Sequence, residues 1–155
     1  MRAGIVVDAL GVSQLAVQLT QELNKIDEMD EYHDVILFYH EYDRIVIPPL
    51  FGMMQEQELW GFDAPVLATS LETADRILRC PGPTKRLFYV WELEWIIAKH
   101  DIDYTSQIYC NPRIELIARS QEHYNTIKSC WREPAHIIED FNHEEIITVL
   151  KDADG

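Results

Sequence analysis

The densest group of chemically capable side chains lies in FYVWELEW, residues 88–95. It holds two tryptophans and two glutamates, Trp91, Trp95, Glu92 and Glu94. An indole can stack on a sugar or a base, and a carboxylate can accept hydroxyl hydrogen bonds or act as a general base. Core packing is the alternative, since tryptophans four residues apart share one face of a helix that begins at Trp91. The segment is therefore either the edge of a binding cleft or a helix packed on a core.

Two other segments offer anion-binding chemistry. Arg119 in ARSQEHY can fork onto a phosphate or carboxylate, or form a surface salt bridge with one of the many acids. In DALGVSQLA, Gly11 makes a tight turn, and the exposed amides of the following helix can hold an anion. The alternative is that Ser13 and Ser120 only cap helices.

Several well-known sites are absent from the sequence. There is no GxGxxG and no GxxxxGK[ST], so a Rossmann dinucleotide site or a Walker phosphate loop is not supported. The three cysteines and six histidines lack zinc spacing, and no Ser/His/Asp set or carboxylate pair can be assigned by spacing. We predict no metal and no cofactor, leave the catalytic residue unassigned, and expect reduced, mostly buried thiols.

Short apolar runs alternate with amphipathic segments along the chain. This pattern predicts an α/β fold: a Rossmann-like, mainly parallel sheet with helices on both faces, in a single domain over 1–155. The predicted strands are 3–7, 34–39, 44–48, 64–70, 86–91, 113–118 and 135–139. The predicted helices are 12–27, 51–60, 71–79, 92–100 (a helix or helical turn), 120–131 and 143–151.

Such a sheet binds ligands outside the carboxyl ends of its strands. The candidate positions are therefore the segments that follow the strands: 8–14, 39–41, 69–72, 91–95, 119–122 and 140–142.

Composition restricts the partners. The 155 residues are 47% hydrophobic, and 27 acidic residues against 13 basic give a net charge of −14. This charge argues against nucleic-acid binding by the domain, because the phosphate backbone is repelled. No apolar run can span a bilayer, and MRAGIVVDALG is a poor signal peptide, so we expect a cytoplasmic protein.

Four stretches together resemble the N-terminal, acceptor-side domain of GT-B glycosyltransferases, especially the family 4-like group, which includes phage enzymes. GIVVDALGVSQLAVQLTQELNK is similar to the opening strand, glycine turn and first helix of that domain, and DAPVLATSLETADRIL to its middle strand and helix. ELIARSQEHYNTI is similar to the late strand that ends in a serine. HIIEDFNHEEI is similar to the last strand and the hinge. The likeness spans most of the chain.

The chain also differs from the family pattern. The opening turn has Gly11 where the family usually has two glycines, and EDFN stands where a Pro-Asn-Gly type hinge is common. A complete GT-B enzyme has a second Rossmann-like domain for the nucleotide-sugar, and this sequence stops where that domain would begin. The resemblance therefore implies an acceptor-side half that works with a separate donor-domain protein or as a homodimer.

The resemblance implies a glycosyl-transfer role and assigns substrate contacts. Gly11, Val12 and Ser13 would line the cleft after the first strand. Trp91, Glu92 and Glu94 would face a sugar or glycan acceptor, and Arg119 and Ser120 would lie near the interdomain cleft. No metal is implied.

Two alternatives remain from the sequence. One is a non-catalytic, Rossmann-like protein-interaction module that exposes apolar residues on an uncovered face. The other is a small flavodoxin-like nucleotide-binding protein, which the missing phosphate loop disfavours.

Overall fold

The computed structural model describes residues 1–29, 31–97 and 100–155 of the chain. The strands are β1 Arg2–Leu10, β2 Asp34–Tyr42, β3 Gly52–Gln55, β4 Val66–Ala68, β5 Arg86–Val90, β6 Glu115–Ala118 and β7 His136–Ile137. The helices are α1 Gln14–Asp27, α2 Leu71–Arg79, α3 Glu94–Ile97, α4 Ile102–Tyr109, α5 Gln121–Cys130 and α6 His143–Asp154. A 3₁₀ turn over Glu56–Gly61 follows β3, and a second one over Glu139–Phe141 precedes α6.

The seven strands form one parallel sheet in the order β3-β2-β1-β4-β5-β6-β7. Gly4 of β1 pairs with Ile36 of β2 on one side and with Val66 of β4 on the other. The chain thus winds outward in both directions from β1, which is the doubly wound order of Rossmann-like folds. The predicted α/β, Rossmann-like fold is confirmed, and the sheet is parallel throughout.

Alternate residues of the strands build the two cores. Ile5, Val7 and Tyr89 point to the side covered by α1 and α6, which we call the α1 face. Val6 and Phe88 point to the side covered by α2, α4 and α5, which we call the α2 face. Because both faces are covered, the strands are almost continuously apolar.

Polar side chains fix where the main helices begin. Ser13, Ser70 and Ser120 each accept a hydrogen bond from the amide three residues later, and Asn142 caps α6 in a similar way. Three of these caps, Ser13, Ser70 and Ser120, lie two or three residues after the ends of β1, β4 and β6. The helices after them therefore begin at the carboxyl edge of the sheet, where these caps satisfy amides that lack helical partners.

The prediction for the region after β2 is wrong in two ways. The predicted strand 44–48 is a loop, and the predicted helix 51–60 is the short strand β3 followed by a 3₁₀ turn. The Asn24 side chain donates to the carbonyl of Pro48 and accepts from the amide of Leu50, which holds the loop against α1. Because these hydrogen bonds join separate segments of the chain, the local pattern of apolar residues does not reveal them.

Two further differences concern helices and thiols. Helix α4 was not predicted. Within the predicted helix 92–100, the structure has the shorter helix α3, Glu94–Ile97. Residues 98 and 99 of that prediction lie outside the described residues. Of the cysteines, Cys80 is buried, but Cys110 and Cys130 are exposed, contrary to the expectation of mostly buried thiols. Within the described ranges, no helix combines the length and apolar character needed to cross a bilayer.

Candidate functional site

A hydrogen-bonded group lies at the point where the sheet changes direction, between the carboxyl ends of β1 and β4. Asp8 is near the end of β1, and Ser70 lies two residues after the end of β4. The Ser70 hydroxyl donates to Asp8 Oδ2 at 2.6 Å, while Ser70 also forms a capping box with Thr73 at the start of α2. The crevice outside such a switch point is the usual ligand position in open α/β sheets.

Arg76 of α2 holds the acidic groups of this crevice together. Its Nη1 lies 2.8 Å from Asp8 Oδ1 and 2.9 Å from Glu56 Oε2, and its Nη2 lies 3.8 Å from Glu72. The other oxygen of Glu56 contacts Nδ1 of His40, at the end of β2. One guanidinium therefore faces three carboxylates, which leaves a net negative charge in the crevice.

Glu94 completes this group from the carboxyl side of β5. Its Oε1 accepts a hydrogen bond of 2.9 Å from the Leu71 amide, the first amide of α2, and its side chain is 16% exposed. Burial raises the pKa of Glu94 to about 7, the Leu71 amide opposes this change, and the negative charges of Asp8, Glu72 and Glu92 add to it. A carboxyl group with this pKa can accept or release a proton at neutral pH.

Trp91 and Arg119 form a second group on the α1 face. Trp91 is 5% exposed and packs in the core beside Tyr89. The Arg119 guanidinium lies 3.8 Å from the centre of the Trp91 ring, and its Nη1 donates to the Trp91 carbonyl at 3.1 Å. Trp91 thus has a core position and also supports a cation at the carboxyl edge.

The two tryptophans of FYVWELEW lie on opposite faces of the sheet. Helix α3 begins at Glu94, so Trp91 is outside it and the two rings do not share a helical face. Trp95 packs edge-on against Tyr109 and Trp131, in the core of the α2 face. Core packing thus explains both rings. They pack on two different faces of the sheet, however, and not on one face of a shared helix.

The other predicted contact residues are dispersed along the carboxyl edge. Ser13 and Ser120 act as helix caps, and Gly11 lies in the turn before α1. Val12 is 63% exposed, and Glu92 is exposed. Of the eight predicted residues, the structure brings Trp91 and Arg119 into contact, while Glu94 instead joins the group at the switch point.

The sequence predicts the segments that hold some partners of Glu94 and gives no signal for the others. Asp8 and Ser70 fall within the segments that follow strands, so their position was the available signal. Arg76 and Glu56 lie in the middle of a helix and in a 3₁₀ turn, and both reach the crevice through tertiary packing. No local pattern marks such residues.

A broad groove of about 1030 Å³ lies elsewhere, outside β7 and between α5 and α6. Its walls include Glu133, which is already bound by Lys128 and Tyr124, and the exposed Glu144 and Glu145. None of the eight predicted residues lines this groove. We therefore place the candidate site at the carboxyl edge, where polar groups converge.

In the part of the chain that the structure describes, no group of three or more side chains is arranged to hold a metal ion. A scan of the sequence against protein-family models finds no matching family. Searches of curated proteins and of solved structures find no significant match either. The Rossmann-like architecture and the carboxyl-edge chemistry are therefore the basis for a functional assignment.

Proposed function

We propose that this chain is a glycosyltransferase-like, acceptor-side domain that binds a sugar or glycan at the carboxyl edge of its sheet. In this proposal, Glu94 accepts the proton of the acceptor hydroxyl as the hydroxyl oxygen attacks the anomeric carbon of a nucleotide-sugar. The bond from that carbon to the diphosphate oxygen breaks, and the nucleoside diphosphate leaves. The donor is held by a second domain, provided by another protein or a second copy of the chain.

The observation that supports this proposal most strongly is the environment of Glu94. A general base works best when its pKa lies near the working pH, because it must be ionised and still hold a proton well. The pKa of Glu94 is raised to about 7, chiefly by burial. Most carboxylates on the surface of such an acidic protein lack this property.

The neighbours of Glu94 suit a polyhydroxyl ligand. Asp8 and Glu72 carry carboxylate oxygens that accept hydroxyl hydrogen bonds, and Ser70 and Arg76 hold Asp8 in place. The fixed orientation of these groups lowers the entropy cost of binding a ligand with several hydroxyls. The resemblance of the sequence to GT-B acceptor-side domains adds the reaction class.

Saccharide binding tests the proposal. We would measure saturation-transfer NMR with a panel of mono- and disaccharides, using the wild type, Glu94→Ala and Glu92→Ala. We expect at least one saccharide to bind the wild type and Glu92→Ala, and to bind Glu94→Ala about tenfold more weakly, since a hydrogen bond to a charged group is lost. Glu92 is a matched control because it is an exposed carboxylate two residues away. Absence of saccharide binding, or equal loss in both variants, would contradict the proposal.

A protein-interaction module is the second candidate, and an exposed apolar patch favours it. Ile96, Ile97 and Ile102 are 61%, 69% and 68% exposed around α3 and the start of α4, beyond the carboxyl end of β5. Large apolar side chains exposed within one short stretch of chain can mark an interaction surface. A homodimer through this patch is compatible with both candidates.

Light scattering over a range of concentrations tests the homodimer. We expect Ile97→Glu to abolish a concentration-dependent increase in mass, because it places a charge in the patch. Leu50→Glu is a matched control, since Leu50 is 56% exposed and lies before β3, at the opposite edge of the sheet. A constant monomer mass for the wild type would exclude the homodimer.

A further inference from the structure

Arg119 differs from the other cations at the carboxyl edge. Arg76 faces three carboxylates, whereas Arg119 forms no ion pair with any acid in the described part of the chain. This is unexpected in a protein with 27 acidic residues, where a partly exposed guanidinium has many available partners. The position of Arg119 is instead fixed by an aromatic ring and a backbone carbonyl.

The contacts of Arg119 orient it and leave most of its donors free. The guanidinium lies over the Trp91 ring at 3.8 Å, and Nη1 donates to the Trp91 carbonyl. A guanidinium has five N–H donors in one plane. No other acceptor in the described residues receives a hydrogen bond from Arg119, so the remaining donors are available for a planar, bidentate partner.

The surroundings of Arg119 fix its position and disfavour a second positive charge beside it. Burial lowers the pKa of the neighbouring His123, and the positive charge of Arg119 lowers it further, which disfavours a second positive charge beside Arg119. Trp91 is held by the core against Tyr89, and the same core fixes the ring under the guanidinium. Binding a ligand therefore requires little reorganisation of the side chain.

We infer that Arg119 is a recognition site for one anionic group, a phosphate ester or a carboxylate, on a small ligand. The net charge of −14 disfavours a polyanion, because every added negative charge is repelled by the protein as a whole. A single phosphate or carboxylate that is held bidentately fits one unpaired arginine. Resting on the proposed function, this inference makes the acceptor an anionic sugar, such as a sugar phosphate or a uronic acid.

Calorimetric titration with inorganic phosphate, a hexose 6-phosphate, a hexuronic acid and the neutral hexose tests the inference. We expect the anionic ligands to bind the wild type more tightly than the neutral hexose. Arg119→Gln should weaken the binding of these anions about tenfold or more, because a charge-assisted bidentate contact is lost. A preference for the hexose 6-phosphate over the hexuronic acid, or the reverse, would identify the anion.

Arg113→Gln is a matched control. Arg113 lies before β6 and Arg119 after it, so the two arginines flank the same strand at opposite edges of the sheet, and Arg113 is exposed. Arg119→Lys is a second variant, which keeps the charge and loses the planar fork, and we expect it to weaken binding about fivefold. Thermal unfolding of each variant shows that the fold is retained.

The outcomes separate this inference from the proposed function. Absence of anion binding in the wild type, or equal weakening by Arg113→Gln and Arg119→Gln, would overturn the inference. Neutral saccharide binding that depends on Glu94 would still support the proposed function in that case. Conversely, anion binding that depends on Arg119 without any contribution from Glu94 would support the anion site and contradict the acceptor role.

Discussion

Glu94 shows how burial turns an ordinary carboxylate into a group that titrates near neutrality. Its side chain is enclosed at the start of α2, and the nearby charges of Asp8 and Glu72 disfavour its ionised form. The Leu71 amide donates to Glu94 Oε1, so the carboxyl group keeps its orientation. The same arrangement that suits a proton acceptor has a cost in stability when the group is ionised.

This cost predicts a dependence of stability on pH. The ordinary pKa of 4.5 applies to the unfolded chain and a pKa of about 7 to the folded one. Between these values the folded state binds more protons, so the contribution of Glu94 to the free energy of unfolding falls as the pH rises. A rise in the pKa of Glu94 from 4.5 to about 7 on folding lowers the free energy of unfolding by at most roughly 3 kcal/mol at high pH.

Urea unfolding of the wild type and Glu94→Gln between pH 4.5 and 8 checks this effect. The glutamine keeps an oxygen for the Leu71 amide and has no charge, so we expect the variant to gain stability relative to the wild type as the pH rises. Glu92→Gln, on an exposed side chain, should follow the wild type. A constant difference between wild type and Glu94→Gln would show that Glu94 has its ordinary pKa.

At the scale of the elements, the connection between β7 and α6 contains unusual backbone. Asp140 and Phe141 have φ angles of 49° and 57°, in the left-handed region that favours glycine. Phe141 is buried against Tyr89, whose hydroxyl donates to the Ile138 carbonyl and accepts from the Phe141 amide. Gln18 of α1 donates to the Asp140 carbonyl, which ties this turn to the first helix.

This geometry predicts that two substitutions of the exposed Asp140 differ in stability. We expect Asp140→Gly to be more stable than Asp140→Ala by about 1 kcal/mol, because glycine adopts positive φ without a Cβ clash. Thermal unfolding at one pH measures the difference. Equal stability of the two variants, or greater stability of the alanine variant, would contradict the left-handed geometry at Asp140.

Several elements were predictable from local sequence, and others depend on contacts made only after folding. The predicted helix 71–79 matches α2, and most strands were found, since buried parallel strands are continuous apolar runs between caps and turns. β3 is short and sparsely buried, and the loop before it is held by Asn24. The apolar residues of this region show neither a strand period nor a helix period, so the sequence could not distinguish a strand from a helix there.

The sequence predicts the position of the candidate site, but only some of the residues that form it. The parallel sheet restricts ligands to its carboxyl edge, which contains Glu94, Trp91 and Arg119. The prediction could not separate these residues into two groups, because the contact of Glu94 with the start of α2 depends on where α3 begins. Nor could it supply Arg76 and Glu56, which reach the crevice through packing of distant segments.

At the scale of the whole molecule, the net charge of −14 affects both binding and folding. Like charges on a compact surface repel one another, and this repulsion is stronger in the folded than in the expanded chain. Many surface carboxylates therefore reduce stability at low ionic strength. The same field disfavours ligands that carry several anionic groups.

This repulsion predicts that salt stabilises the fold. We expect the free energy of unfolding to rise by about 1 kcal/mol between roughly 10 and 200 mM sodium chloride, as the screening length falls from about 30 Å to below 10 Å. Chloride is preferred to sulfate, because sulfate stabilises proteins by exclusion from the surface. A decrease in stability would mean that the attractive ion pairs outweigh the general repulsion.

The decisive measurement for the role of Glu94 is a carbon-13 NMR titration of its carboxyl group. Its resonance is assigned by its loss in Glu94→Gln, and the titration is recorded with and without a saccharide that binds. We predict a midpoint at about pH 7 in the free protein, displaced when the saccharide is present. A midpoint near 4.5, or one that the saccharide leaves unchanged, would contradict the role of Glu94 as the base of an acceptor site.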